Sequence, residues 1–347
     1  MAALALLIGA AALSYIAVAY AKRWALAHQI MDIPNARSSH SRPMPRAGGI
    51  GMVATWCAGF VAAWVIQGEL AISALALLGG GVVVAAIGLL DDLHGLTART
   101  RLTVHLLAAV ALVAAGARID TLSVPPLGSV ALGPLGAVIS VVWIVAVTNI
   151  YNFMDGIDGI AAGVAVLTGI GLALLGVLGG EVVPMLFACV VAGSAAGFLV
   201  HNYPPASVFM GDVGSGFLGF VLAGLTLMST SSGGGVSILA GACVLAPFLL
   251  DGTLTLLRRA LRGERWYEAH RSHYYQRLVI LGYSHRAVSL LYYGLTVFAV
   301  LGALGYVALP GPSGLLLLLS GIAPFFVLPI VVPKWEARIA GRSPSPS

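Results

Sequence analysis

Four stretches of this chain set oxygen- and nitrogen-bearing side chains at the margins of long apolar runs. Asp91 and Asp92 stand side by side directly after the run that ends at Leu90. Charge buried in hydrocarbon is costly, so such a pair must face water, a cation or a metal. Arg99 and Arg101 follow within reach of the same aqueous space, and carboxylates beside arginines suggest a phosphate and a metal together. In NIYNFMDGIDGIAAG, Asn149, Asn152, Asp155 and Asp158 recur three residues apart. Steps of three drift by about 60° each on an ideal helix, so Asn149 and Asp158 do not share one face. Gly156 and Gly159 are where the backbone would break, exposing amide N–H groups that suit a phosphate or nucleotide. In HNYPPASVFMGDVGSGFLGF, Asp212 sits among glycines ahead of another apolar run, with Asn202 and Phe209 upstream. A lone carboxylate there reads as a magnesium ligand or an N-cap, and the two roles are compatible. Finally, WYEAHRSHYYQRL sets His270, Arg271, His273 and Arg277 among aromatics. The His-x-x-His pair lacks a third soft ligand for zinc, which favours diphosphate binding by imidazole and guanidinium.

The elements that must hold these groups are membrane-spanning helices. Apolar residues make up 59% of the 347-residue chain, charged residues 9%, and the mean hydropathy is +0.98. At about 20 apolar residues per crossing, eleven spans are expected, near 1–21, 47–67, 70–90, 102–117, 134–151, 159–178, 182–200, 213–229, 235–257, 287–309 and 313–333. The fourth and fifth are short, so ten with one half-helix is the alternative count. Seventeen of the eighteen Lys and Arg residues lie in alternate gaps, Arg118 being the exception. The positive-inside bias assigns those gaps, and every carboxylate motif, to the cytoplasm. The expected fold is therefore all-α and polytopic, a single transmembrane domain over 1–333. Its N-terminus lies outside, and a cytoplasmic, unstructured tail covers 334–347. The first span lacks the basic leader of a cleaved signal peptide and reads as a retained helix. The segment 118–133 reads as a turn-rich outer connector. Cys57, Cys189 and Cys243 lie in apolar runs with no metal or redox spacing, so no disulfide is expected. The net charge of +5 follows from topology and does not signal nucleic acid. Asp251, inside the ninth span, is a functional candidate by default, paired with Arg258 or reaching water.

Taken in order and on one face, the four motifs resemble those of the polyprenyl-phosphate N-acetylhexosamine-1-phosphate transferase superfamily, from about Asn35 to Leu278. HRSHYYQRL and RSSHSRPMPRAGGIG resemble the branch that starts O-antigen or related surface glycans. The peptidoglycan branch carries consecutive histidines in its loop, which this chain lacks. The resemblance implies transfer of a sugar-1-phosphate from a UDP-N-acetyl amino sugar to undecaprenyl phosphate in a bacterial inner membrane, releasing UMP. It also implies magnesium, with manganese as substitute, and a homodimer. By motif position Asp212 resembles the metal ligand, Asn202 and Phe209 residues around the uracil, and Asp158 part of the nucleotide site. Asp91 or Asp92 resembles the residue acting on the lipid phosphate. Direct attack and an aspartyl-phosphate route both remain open. The rival reading is a cation-coupled transporter, which expects acidic residues near the bilayer midplane.

Overall fold

The computed structural model describes residues 1–34, 42–69, 71–124, 128–231, 236–265, 270–309 and 311–340. Arg37 and its neighbours in RSSHSRP, the WYEA part of the histidine loop, and residues 341–347 therefore lie outside the described residues. Fourteen α-helices account for nearly all regular structure: α1 Ala2–Ala27, α2 Gly48–Gln67, α3 Ile72–His94, α4 Ala98–Ala114, α5 Pro134–Phe153, α6 Ile160–Gly179, α7 Val182–Asn202, α8 Asp212–Ser231, α9 Ile238–Val244, α10 Ala246–Leu261, α11 Tyr274–Ile280, α12 His285–Ala308, α13 Pro312–Ile322 and α14 Val327–Ala340. Two short antiparallel ribbons, β1 (Met31–Asp32) with β2 (Met44–Pro45) and β3 (Thr121–Val124) with β4 (Gly128–Ala131), complete the described residues. The second ribbon occupies the expected outer connector.

Nine described helical segments are long and apolar enough to cross a bilayer, α13 and α14 counting as one. The ninth expected span is instead a broken pair, α9 and α10, bent by 81°. Pro247 stands in the first turn of α10, where its missing N–H costs nothing but its ring cannot continue the helix above it. The fourth expected span forms α4, only 17 residues long, or about 25 Å at 1.5 Å per residue. It nonetheless traverses the molecule. Its first turn meets α3 and α8 through Arg101, and the ribbon after it leads to α5, whose last turn returns to α8 through Asn152. With the bent pair taken as one span, ten described segments are long and apolar enough to cross a bilayer, against the eleven expected, the shorter α4 making the difference. Residues 334–340, expected in the unstructured tail, instead continue α14, because Glu336 docks on Arg277.

The centre of the bundle is α8, with 94% of its span buried against 22% for α1 at the rim. Hydrophobic burial does not join helices inside lipid, so close backbone approach must, and small residues permit it. A Cβ at Gly88 of α3 would lie 2.4 Å from the carbonyl oxygen of Asp212, and one at Gly219 of α8 would lie 2.7 Å from the Cα of Thr148 on α5. Those two contacts clamp α3 and α5 against α8 and bring their polar ends level.

Candidate active site

At the first turn of α8 the chain gathers acids from two helices, α3 and α8, and from the loop that follows α5. The Asp92 side chain is fully buried. Its Oδ1 accepts the Asp212 amide at 2.9 Å and its Oδ2 the Val213 amide at 3.2 Å. Asp92 thereby caps α8 from another helix, satisfying donors that a helix start leaves open. Gly211 makes this approach feasible, since its φ is +74° and a Cβ would fall 2.4 Å from Asp92 Oδ2. Asp91, one residue earlier, keeps 12% of its side chain exposed. It accepts the Leu96 amide at 2.6 Å and Arg101 Nη1 at 2.5 Å. Adjacent acids therefore have different surroundings, Asp92 buried against the start of α8 and Asp91 partly open to solvent.

Two guanidinium groups stitch the acids together. Arg101 Nη1 also reaches Asp212 Oδ2 at 2.7 Å, while Arg46 Nη2 bridges Asp92 Oδ1 at 2.8 Å and Asp212 Oδ1 at 3.1 Å. Arg46 entered the sequence reading only as one basic-gap residue and as part of the RSSHSRPMPRAGGIG segment, with no role of its own. Its place comes from packing: the strand around it runs parallel to Phe209, with the Phe209 amide donating to Pro45 and the Gly48 and Gly49 amides to Phe209 and Met210. The signal that could have singled it out is a basic residue two positions before a Gly-Gly helix start. Phe209 acts here through its backbone.

The asparagine-aspartate run divides. Asn152 donates to Ser215 Oγ at 2.9 Å, beside Asp212. Asn149 instead donates to Val145 O on its own helix at 2.7 Å, a consequence of the drift between steps of three. Asp155 is half-buried; its amide donates to Asn152 O, and its carboxylate has no hydrogen-bond partner among the described residues. Burial, then the charges of Asp212, Asp92 and Asp158, push its carboxyl up to about 7 against the pull of Arg46. Asp158 accepts the Ala206 amide at 3.0 Å and faces His285 Nδ1 at 3.4 Å. Asn202, 4% exposed, accepts the Gly159 amide and donates to Val208 O, both at 2.9 Å. Its amide is thus committed to joining two loops. Arg99 is exposed on the first turn of α4.

The histidine loop is organised from below by Asp251. This fully buried carboxylate accepts the Tyr274 and Tyr275 amides at 2.9 and 3.2 Å, the Thr255 hydroxyl at 3.2 Å and the Tyr292 hydroxyl, and faces His273 Nδ1 at 3.3 Å. The expected pairing with Arg258 does not form. Arg258 donates to Ser272 O instead, because the start of α11 supplies Asp251 with amide donors at shorter range. Tyr275 OH donates to Phe153 O at 2.9 Å and fills the space a Cβ of Gly156 would need, tying the loop to the end of α5. His270 shares a 2.9 Å hydrogen bond with Ser272 Oγ, and burial, with His273, Arg259 and Arg258 nearby, lowers its pKa to about 4. It is therefore a neutral ring rather than a cation at neutral pH. Arg277, expected at the substrate, is committed to Glu336 by two bonds of 2.7 and 2.5 Å. A bidentate fork of this kind leaves it little freedom. Arg271 is half-buried with its Nε unpaired, so it keeps a donor for a ligand.

These donors fit the implied magnesium. Asp91, Asp92, Asp155 and Asp212 set four carboxylates against Arg46 and Arg101, an excess of negative charge that a divalent cation would neutralise, and the unpaired Asp155 marks where it is felt. No three His, Cys, Asp or Glu side chains among the described residues form a complete cage. Magnesium commonly takes one or two carboxylates and completes its shell with phosphate oxygens and water. Asp212 would hold it, with Asp155, which feels the Asp212 charge, as a second donor.

Comparison with known proteins agrees with this geometry. The model of glycosyl transferase family 4 matches residues 74–230, the stretch from α3 to α8. A probable undecaprenyl-phosphate N-acetylglucosaminyl 1-phosphate transferase of Bacillus subtilis is 34% identical over 274 residues, spanning 78% of this chain and 76% of that one. A decaprenyl-phosphate N-acetylglucosaminephosphotransferase of Mycobacterium tuberculosis is 32% identical over 319 residues, with 82% and 77% covered. A phospho-N-acetylmuramoyl-pentapeptide-transferase of Moorella thermoacetica is 33% identical over 233 residues, with 63% and 72% covered. With acids from α3, α8 and the loop after α5 converging at one end of an apolar bundle, and with relatives matched along most of their length, the chain belongs to the polyprenyl-phosphate N-acetylhexosamine-1-phosphate transferase superfamily.

Proposed function

We propose that this enzyme transfers N-acetylglucosamine-1-phosphate from its UDP-activated form to undecaprenyl phosphate, the first step of a lipid-linked surface glycan such as O-antigen. The observation that carries the reading is the convergence on Asp212. Asp91 reaches it through Arg101 and Asp92 through Arg46, at the mouth of a bundle whose flanks are apolar. A water-soluble nucleotide and a phosphate on a lipid tail can meet only at such a boundary. The names of the Bacillus and Mycobacterium relatives favour N-acetylglucosamine as the sugar.

In this scheme an oxygen of the lipid phosphate attacks the sugar-bearing phosphorus of the donor. The bond from that phosphorus to the oxygen of the uridine-bearing phosphate breaks, and UMP leaves. A phosphate monoester has a second pKa of about 6, so its dianion is already common at neutral pH. Asp91 then acts chiefly by orienting the acceptor, or by taking its last proton. Bringing two anions together is the main barrier, which Arg101, Arg46 and neutral donors such as His270 lower. Magnesium, when bound, would supply further charge neutralisation at the transferred phosphoryl group. Manganese would serve as its substitute.

The basic gaps put this end of the bundle on the cytoplasmic side of a bacterial inner membrane, with the N-terminus outside and α14 inside. A homodimer is part of the proposal. The transporter alternative loses ground because Asp91, Asp92 and Asp212 stand at helix ends, and Asp251 is consumed in capping α11. Purified protein incubated with undecaprenyl phosphate and a panel of UDP-amino sugars tests the proposal. UMP release with UDP-N-acetylglucosamine supports it, and uptake by proteoliposomes without chemical conversion rejects it.

A further inference from the structure

Both oxygens of Asp212 face guanidinium groups, Oδ1 that of Arg46 at 3.1 Å and Oδ2 that of Arg101 at 2.7 Å. The two contacts differ in what release would cost. Arg101 stands between Asp212 and Asp91, which are direct neighbours, so removing it leaves two like charges face to face. Arg46 has the longer contact, and on leaving Asp212 it keeps Asp92 at 2.8 Å. Both Arg46 contacts use Nη2, and its side chain is 30% exposed. Its remaining N–H groups make no bond to described residues. A guanidinium has five donors in a fixed fork that matches a phosphate. Pairing of its backbone segment with Phe209 anchors the base of the side chain, so a change of partner requires only a turn of its flexible stem.

Resting on the reading proposed above, we infer that Arg46 is a built-in stand-in for the divalent cation. It neutralises Asp212 Oδ1 until a metal binds and, on metal loading, turns its free donors to a substrate phosphate. Like charges at a few ångströms repel, so a divalent cation and the Arg46 guanidinium compete for the same oxygen. One positive charge thus serves twice, holding the acids together before substrate arrives and contacting phosphate afterwards. This sets Arg46 apart from an ordinary structural ion pair, whose loss would weaken metal binding by disordering the acids.

The test is Mn2+ binding to the purified full-length chain without substrate, read from the paramagnetic resonance of free Mn2+. Arg46→Gln binds Mn2+ about tenfold more tightly than wild type, the modest size expected of a charge one-third exposed, while its turnover falls. Should Arg46→Gln not fold by melting, Arg46→Lys carries the same expectation in the same direction, because its shorter point charge reaches one carboxylate and not both. Mn2+ binding no tighter than wild type overturns the inference. Absence of Mn2+ binding in wild type is a different failure, since it removes the metal reading of the site and the exchange with it.

Discussion

Asp91 and Asp92 are chemically identical neighbours whose environments separate them. Asp92 has both oxygens on the first amides of α8, so Asp92→Asn should lower stability by about 1–3 kcal/mol, seen as an earlier melting transition. Asp91 stays partly exposed and is the residue proposed to act on the lipid phosphate, so Asp91→Asn should melt close to wild type and lose about a hundredfold or more in turnover. His270 supplies a pH dependence. Its folded pKa of about 4 lies below the ordinary value of 6.5, so the unfolded chain binds the extra proton first. Stability is then intact above about 6.5 and declines as pH falls toward 4. His270→Gln should flatten that decline in melts taken across the window. The acidic and histidine motifs were legible because charge next to hydrocarbon demands a reason. Arg46 was not, since a basic loop residue is already explained by topology. Arg277 misled for the opposite reason: its partner Glu336 lies 59 positions away, a pairing no local pattern announces.

At the scale of elements, the site depends on helix ends being fastened to one another. Helix α11 has only seven residues, too few for stability alone, and takes its position from Asp251 beneath and Glu336 above. Asp251→Ala should cost about 3 kcal/mol or more, because buried amide and hydroxyl donors lose their acceptor. Turnover should fall with it, and Asp251→Asn should recover part of both. Glu336→Gln breaks a pair that is partly in water, so melting should shift by about 1 kcal/mol or less with activity largely kept. Hydropathy located the apolar runs but was blind to the bend between α9 and α10, because a broken span is as apolar as a straight one. Pro247 was the available clue. Likewise the C-terminal turns of α14 looked like a tail because their one anchoring contact is tertiary.

Across the whole molecule, the N-terminus lies at the end opposite the acids and α14 at the same end. Apolar run lengths announced eleven spans, of which ten are long and apolar enough to cross when α9 and α10 count as one, α4 being the short one. What no run length conveys is the ranking from rim to centre that makes α8, rather than α1, the axis on which the acids converge. Introduced cysteines test the orientation. In intact cells an impermeant maleimide should label Ser129→Cys in the outer ribbon and leave Thr97→Cys, beside the acids, unlabelled until the membrane is opened. The reverse pattern would place the acids on the wrong face for a cytosolic nucleotide. The central claim is that acids and arginines at the end of α8 join a nucleotide-activated sugar phosphate to a lipid phosphate. It is tested most directly by following UMP release from UDP-N-acetylglucosamine with undecaprenyl phosphate in wild type and Asp212→Asn. Release by wild type that depends on the lipid phosphate, and its loss in Asp212→Asn, is the predicted result; equal release from the two proteins, or release without the lipid, would contradict it.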